Sequence, residues 1–127
     1  MIAADTSTWV AFLAGVAGDD VLLLKKALQG HQVFMLPVVL TELLSDPNLP
    51  PDVAASLTDL PLLGLEPGFW QRAGALRAKV LAKGRRARLA DSFIAQLCLD
   101  AHIFLITRDR DFRSFAQVSR LHLLLSP

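Results

Sequence analysis

Four acidic residues of this chain, Asp5, Glu42, Asp91 and Asp109, are spaced so that they could share one site. Asp5 ends the apolar run MIAA, and Asp109 comes two residues after the apolar run IFLIT. Glu42 lies about a turn and a half into a predicted helix, and Asp91 lies in the first turn of a later one. Ligands of open α/β sheets bind beyond the carboxyl ends of the strands. We therefore expect the four carboxylates to converge at one edge of a sheet.

Such a cluster of carboxylates requires a cation. Two unit charges about 4 Å apart interact by roughly 4 kcal/mol at an effective dielectric constant near 20, and uncompensated anions raise one another's pKa values. Mg²⁺ or Mn²⁺ takes oxygen ligands, and such an ion can bridge a phosphate and lower the pKa of a water. We expect Asp5, Asp91 and Asp109 to hold one or two such ions, with Glu42 binding directly or through water.

Each acid also has an ordinary structural interpretation. Asp5 could cap the helix that follows it, and Glu42 could face solvent. Asp91 could interact with the dipole of its own helix, and Asp109 and Asp111 could be turn residues. The metal hypothesis is favoured because all four positions fall where one crevice would collect them.

Basic residues are concentrated in the second half of the chain. The net charge is +1, but residues 1–66 carry −6 and residues 67–127 carry +7. Seven bases between positions 72 and 88 have no acid among them: Arg72, Arg77, Lys79, Lys83, Arg85, Arg86 and Arg88. They form either a solvated helix face followed by a basic loop, or a surface that attracts phosphates. Bases for phosphate beside acids for a metal suit cleavage of a nucleic-acid backbone.

The elements that must position these residues alternate between short apolar runs and amphipathic stretches, which predicts βαβ units with a parallel sheet. We expect one domain over residues 1–127, a three-layer α/β/α arrangement with a central parallel sheet of four to five strands. The strands are predicted at Ile2–Asp5, Gln32–Leu36, Leu62–Leu65, Ile103–Thr107 and Leu121–Leu125. The helices are predicted at Ser7–Leu13, Asp19–Leu28, from Pro37 onward, and at Asp52–Leu60, Phe69–Lys83 and Leu89–Ala101.

The composition is apolar: hydrophobic residues make up 53% of the chain, and the mean hydropathy is +0.42. No apolar run reaches the roughly 18 residues of a membrane span, and no secretory signal is recognisable at the start. The apolarity therefore indicates a sheet buried on both faces or a surface that meets another protein. Cys98 is the only cysteine, and we interpret it as a small buried hydrophobe in a cytoplasmic protein.

Several stretches in this order resemble one family. They are DTSTW after the first strand, PVVLTELL with its glutamate, LADSFIAQLCLDAHIFLITRDRDF, and a short closing strand. The chain resembles the PIN-domain ribonucleases, and among them the VapC-type toxins of type II toxin–antitoxin pairs. The resemblance implies a Mg²⁺- or Mn²⁺-dependent endoribonuclease, a homodimer, and inhibition by a small cognate antitoxin of the VapB type.

The resemblance also implies site residues, matching the family's acidic positions to Asp5, Glu42, Asp91 and Asp109. Ser7, with Thr6 before it, matches the hydroxyl position near the first acid, and Thr107 matches the threonine that opens the last acidic segment. These hydroxyls are expected to hydrogen-bond waters or ligands. Asp111 is either a further ligand or a structural acid, and whether it or Asp109 coordinates more directly stays open.

Binding partners follow from the same interpretation. The candidates for RNA phosphate contacts are Arg85, Arg86, Arg88, Arg108 and Arg110. An apolar groove between the Glu42 helix and the proline-rich middle is expected to receive an amphipathic antitoxin helix. Two other classes of function fit the same residues: a PIN-like nuclease for RNA maturation, and a non-catalytic binding module that keeps its acids as a structural metal site.

Overall fold

Two short parallel strands bring the start of the chain beside its last quarter. A computed structural model describes residues 1–127. Strand β1 (Ile2–Ala4) pairs with β2 (Phe104–Ile106), and Ala3 lies opposite Leu105. The last two residues of each strand are buried. Because the strands run in the same direction, their carboxyl ends meet at one edge, and Asp5 follows directly on β1 there.

The expected sheet of four to five strands is not confirmed, since the regular sheet has two strands. Further segments join only through single parallel bridges, which pair Ile2 with Val33, Met35 with Leu62, and Leu105 with Leu123. The bridges lie within the predicted strand positions but do not extend into ladders. Pro37 turns the second segment into a helix at once, and Pro61, which lacks an N–H, precedes the third.

Seven helices pack around the strands. Their bounds are α1 (Thr6–Leu13), α2 (Asp19–Gln29), α3 (Pro37–Leu44), α4 (Pro51–Thr58), α5 (Phe69–Ala82), α6 (Leu89–Ala101) and α7 (Phe112–Gln117). The six helices expected from the sequence are present, and their predicted ends differ by no more than two residues. Local signals set several starts: Asp5 caps α1 by accepting a hydrogen bond from the Thr8 N–H, and Pro37 and Pro51 open α3 and α4.

Helix α7 was not predicted from the sequence. It has only six residues, too few for a helical period to be visible. Phe112 and Phe115 are both fully buried, and the helix packs against α5 and α6. These two side chains anchor the segment just before α7, which carries Asp109 and Asp111.

The core surrounds the strand pair and includes Trp9 and Phe69 from the helices. Cys98 is buried within it as expected, and burial raises the pKa of its thiol to about 12, so that the thiol is protonated at neutral pH. None of the helices combines the length and the apolarity that crossing a membrane requires.

Candidate metal centre

Asp5 lies at the end of β1, in a pocket of hydroxyl groups. Its Oδ2 accepts a hydrogen bond from the Thr107 hydroxyl at 2.7 Å, and its Oδ1 accepts one from the Thr8 N–H at 3.1 Å. The Ser7 hydroxyl lies 2.8 and 2.9 Å from the two oxygens. Burial raises the pKa of the Asp5 carboxyl; the hydrogen bonds from Thr107, Thr8 and Ser7 oppose that rise, and the charge of Asp109 adds to it. The same carboxylate therefore caps α1 and faces the acids beyond β2.

Thr107 joins the two strand ends. Its hydroxyl donates to Asp5 and accepts from the Asp109 N–H at 3.0 Å. Because Thr107 follows β2 directly, the parallel register places its hydroxyl beside the acid that follows β1. The buried Thr107 side chain thus fixes the positions of Asp5 and Asp109 relative to each other.

Three carboxylates lie close enough together to share one metal ion. Asp91, Asp109 and Asp111 each offer an oxygen, and these oxygens all lie within 4.8 Å of one another. Asp91 comes from the first turn of α6, and the other two come from the turn before α7. The Asp111 N–H donates to Asp109 Oδ1 at 2.9 Å, which orients that carboxylate within the turn.

The protonation of Asp91 reflects this crowding. Burial, with the charges of Asp109, Asp5 and Asp111, raises the pKa of its carboxyl to about 6, and Arg88 opposes this rise. One Asp91 oxygen, Oδ2, is buried and has no hydrogen-bond partner. Burying a polar atom without a partner costs free energy. This oxygen is therefore suited to coordinate a bound cation.

A divalent cation fits this donor set. The cluster offers carboxylate oxygens only, which are the ligands that hard ions such as Mg²⁺ and Mn²⁺ prefer. Three oxygens within 4.8 Å can approach one ion, and the partnerless Asp91 oxygen is one of the atoms such an ion would satisfy. Asp91, Asp109 and Asp111 could therefore hold the ion, with Asp5 close enough to help raise the pKa of Asp91 and to have its own pKa raised by Asp109.

Glu42 lies apart from this cluster. It is exposed on α3 and accepts a hydrogen bond at 2.7 Å from the hydroxyl of Thr6, the residue after Asp5. The structure therefore brings Glu42 next to the first acid through Thr6, and does not place it within the group of three.

The five arginines proposed for phosphate contacts differ in their surroundings. Arg86 approaches Asp111 at 3.9 Å, and Arg108 forms a close ion pair with Asp20 at 2.8 Å. The other three, Arg85, Arg88 and Arg110, are exposed and make no ion pair. The surface beside the acids thus keeps free positive charge, and Arg108 has its guanidinium engaged with Asp20.

Comparison with known proteins identifies the family. The sequence profile of the PIN domain matches residues 2–118, nearly the whole chain. The chain belongs to the PIN domain family. PIN domains are generally metal-dependent nucleases, which agrees with an acidic cluster at the carboxyl ends of the strands. A search among curated proteins finds no match to this PIN domain.

Solved structures share the fold of this PIN domain. FitAcB from Neisseria gonorrhoeae has a TM-score of 0.70 and 17% identity, and the alignment covers 99% of this chain and 98% of that one. VapBC-5 of Mycobacterium tuberculosis is a member of the VapBC family of toxin–antitoxin systems. It has a TM-score of 0.66 and 22% identity, and the alignment covers 95% of this chain and 94% of that one. VapBC2 of Rickettsia felis, bound to a promoter DNA fragment, has a TM-score of 0.69 and 20% identity, and the alignment covers 97% of each chain.

Sequence reasoning did not single out two polar residues of this PIN domain, Thr8 and Asp20. Both are buried, and the Thr8 hydroxyl donates to Asp20 Oδ2 at 2.9 Å. In the sequence, Asp20 belongs to the acidic pair Asp19-Asp20 at the start of α2, and a place beside the helix dipole is enough to account for it. The one local signal for Thr8 was its place three residues after Asp5. A side chain that caps a helix accepts a hydrogen bond from the backbone N–H at that position.

Proposed function

We propose that this PIN domain is a metal-dependent endoribonuclease and the toxin of a VapBC-type toxin–antitoxin pair. The observation that carries the proposal is the group Asp91, Asp109 and Asp111, which has a buried partnerless oxygen and lies beside Asp5. The reaction is hydrolysis of an RNA phosphodiester bond. The whole of residues 1–127 would act as one PIN domain in the cytoplasm.

The carboxylates would hold Mg²⁺ or Mn²⁺. Asp91, Asp109 and Asp5 are the proposed ligands, with Asp111 as a further one because its oxygen belongs to the same group of three. When bound, such an ion supplies a water of lowered pKa and stabilises charge on the phosphate oxygens. Glu42, held by Thr6, would orient the attacking water from the α3 side.

The hydroxyl groups would keep these acids in place. Ser7 and Thr107 both donate to Asp5, and these hydrogen bonds oppose the rise in pKa that burial causes. Thr6 donates to Glu42 and sets the direction of that side chain. Hydrogen-bond partners of this kind tune metal ligands, and their loss commonly lowers affinity or activity about 10- to 100-fold.

The RNA backbone would lie along the basic loop before α6. Arg85, Arg88 and Arg110 are exposed and free of ion pairs, and Arg86 makes only a long contact with Asp111. Free guanidinium groups bind phosphate oxygens strongly. Arg108 contributes less in this proposal, since Asp20 neutralises it.

An antitoxin would bind the groove between α1, α3 and α4. The groove has a volume of about 340 Å³ and is lined mainly by apolar side chains, among them Val10, Leu13 and Leu43. Glu42 and Asp46 stand at its wall. An amphipathic helix with a basic residue suits this combination, and it would reach a candidate active-site acid while filling the groove. The solved VapBC relatives belong to toxin–antitoxin systems.

A second copy of the chain would bind the face of α5 and α6 that carries the exposed Trp70. The Trp70 side chain is 60% exposed and packs edge-on against Phe69 and Phe93. A large exposed aromatic side chain such as Trp70, backed by the buried Phe69 and the half-buried Phe93, is typical of a protein interface. Sedimentation of the wild type should give a dimer, and a monomer at all concentrations would contradict this part of the proposal.

The deciding experiment is incubation with total RNA and Mg²⁺ or Mn²⁺, with cut sites mapped for the wild type beside Asp91→Asn. We expect discrete cleavage by the wild type that a chelator abolishes, and none by the variant. Equal cutting by the two proteins would contradict the assignment of Asp91. Expression in a bacterial host then separates a toxin, which arrests growth unless the antitoxin is present, from a nuclease for RNA maturation.

A further inference from the structure

Asp20 is a buried acid outside the candidate metal centre that nevertheless connects to it. It lies in the first turn of α2 and receives hydrogen bonds from two elements. Arg108 donates through Nε to Oδ2 and through Nη2 to Oδ1, both at 2.8 Å, and the Thr8 hydroxyl donates to Oδ2 at 2.9 Å. A two-point pair of this kind fixes orientation as well as distance.

These contacts complete a ring that passes through the metal centre. The Thr8 N–H donates to Asp5 at 3.1 Å, and Asp5 accepts from the Thr107 hydroxyl at 2.7 Å. Arg108 follows Thr107 in the chain, and its guanidinium returns to Asp20. The ring therefore joins α1, α2 and the segment after β2, and Asp20 is its only member outside the two segments that follow the strands.

The backbone near Asp20 makes room for this pair. A Cβ atom at Gly18 would lie 2.5 Å from Asp20 Oδ1 and 2.7 Å from Arg108 Nη2, closer than real contacts allow. The φ of Gly18 is 162°, an extended value that any residue adopts. A side chain at this position would therefore displace the ion pair, and the constraint is one of space and not of backbone conformation.

We propose that Asp20 is a positioning residue, which holds Arg108 and Thr8 so that Asp5 and Asp109 face a common metal ion. The inference rests on the proposed function for its effect on RNA cleavage. Arg108 lies between Thr107 and Asp109 in the chain. Loss of its ion pair with Asp20 would therefore allow the segment that carries Asp109 to move. Metal sites commonly lose 10- to 100-fold in affinity when such supporting contacts are removed.

The test compares Asp20→Asn with Asp100→Asn. Asp100 is a matched control because it also accepts two hydrogen bonds from one arginine, Arg72, at 3.0 and 2.5 Å. It lies in the last turn of α6, at the opposite end of that helix from Asp91. Isothermal titration with Mn²⁺ alone measures binding without RNA. We expect about tenfold or greater weakening in Asp20→Asn and no more than about a twofold change in Asp100→Asn. With RNA, the loss should fall on kcat at saturating substrate.

Gly18→Ala provides a second variant that removes no polar group, and it should also weaken Mn²⁺ binding, because its methyl group displaces the ion pair. Mn²⁺ affinity in Asp20→Asn within about twofold of the wild type would overturn the inference, and so would an equal loss in Asp100→Asn, which would indicate general loosening. A wild type that binds no Mn²⁺ also overturns it. A wild type that binds Mn²⁺ but cuts no RNA contradicts the proposed function alone, and the comparison of the variants still decides the role of Asp20.

Discussion

The raised pKa of Asp91 predicts that the proposed metal ligand destabilises the metal-free protein at neutral pH. Its carboxyl titrates at about 6 in the folded state, against an ordinary 3.8. Between those pH values the folded state binds more protons than the unfolded state. The free energy of unfolding therefore falls as pH rises through this window, and the loss persists above it.

The size of the effect follows from the shift. Two pKa units correspond to about 3 kcal/mol at 1.36 kcal/mol per unit. Asp91 is partly exposed, and solvent screening reduces the figure to about 1–2 kcal/mol. Asp91→Asn removes the charge and keeps the shape of the side chain. We expect the variant to be more stable than the wild type by about 1–2 kcal/mol above pH 7 in chelator, with the difference vanishing near pH 4.

Urea unfolding at several pH values, followed by circular dichroism, measures this difference. Asp100→Asn is the control with the opposite sign: although burial raises the pKa of Asp100, its hydrogen bonds with Arg72 and Gln96 lower it overall. That variant should be less stable than the wild type at neutral pH, and the gap should close on acidification. An Asp91→Asn protein that is less stable than the wild type at pH 7 in chelator would refute the reasoning.

Bound metal should make the wild type more stable than Asp91→Asn, the reverse of the order expected in chelator. A ligand at about 100 times its dissociation constant adds roughly 2.7 kcal/mol to the free energy of unfolding. Wild-type protein with Mn²⁺ at that concentration should therefore overtake Asp91→Asn, which lacks one ligand. If Mn²⁺ stabilises both proteins equally, Asp91 does not contact the ion.

Three further predictions concern the neighbouring residues. Asp5→Asn should abolish metal-dependent RNA cleavage and leave the circular dichroism spectrum unchanged, because the amide keeps an oxygen that can cap α1; full activity would remove Asp5 from the site. Thr107→Ala should lower cleavage about 10- to 100-fold through loss of its bonds to Asp5 and Asp109, measured as kcat on a short RNA. Val10→Glu, at a half-exposed groove position, should prevent co-purification of a co-expressed antitoxin while cleavage persists; unchanged capture would place the antitoxin elsewhere.

The elements near the site were largely predictable from local patterns. Pro37 and Asp5 are signals that act within one helical turn, so the starts of α3 and α1 could be predicted closely. Helix α7 was missed because two buried phenylalanines in six residues do not establish a period. The outer strands were overpredicted because apolar segments that reach the sheet form only single bridges.

The separation of the acids could not be predicted from spacing. The sequence indicated that Asp5, Glu42, Asp91 and Asp109 fall near one edge, but spacing along helices and strands does not give distances across the edge. Asp111 belongs to the group of three, whereas the exposed Glu42 pairs with Thr6. Which carboxylates lie close enough to share an ion depends on how α3 and α6 pack, to within a few ångströms.

Local sequence patterns were enough to place acidic residues after the two paired strands and at the start of α6, because those features depend on backbone periodicity and on burial within short segments. Which carboxylates approach within 4.8 Å of one another depends on the packing of the elements in three dimensions. The same packing pairs Arg108 with Asp20, which lies 88 residues away in the chain. Charge partners are selected by distances between elements that are remote in sequence, and no local pattern encodes those distances.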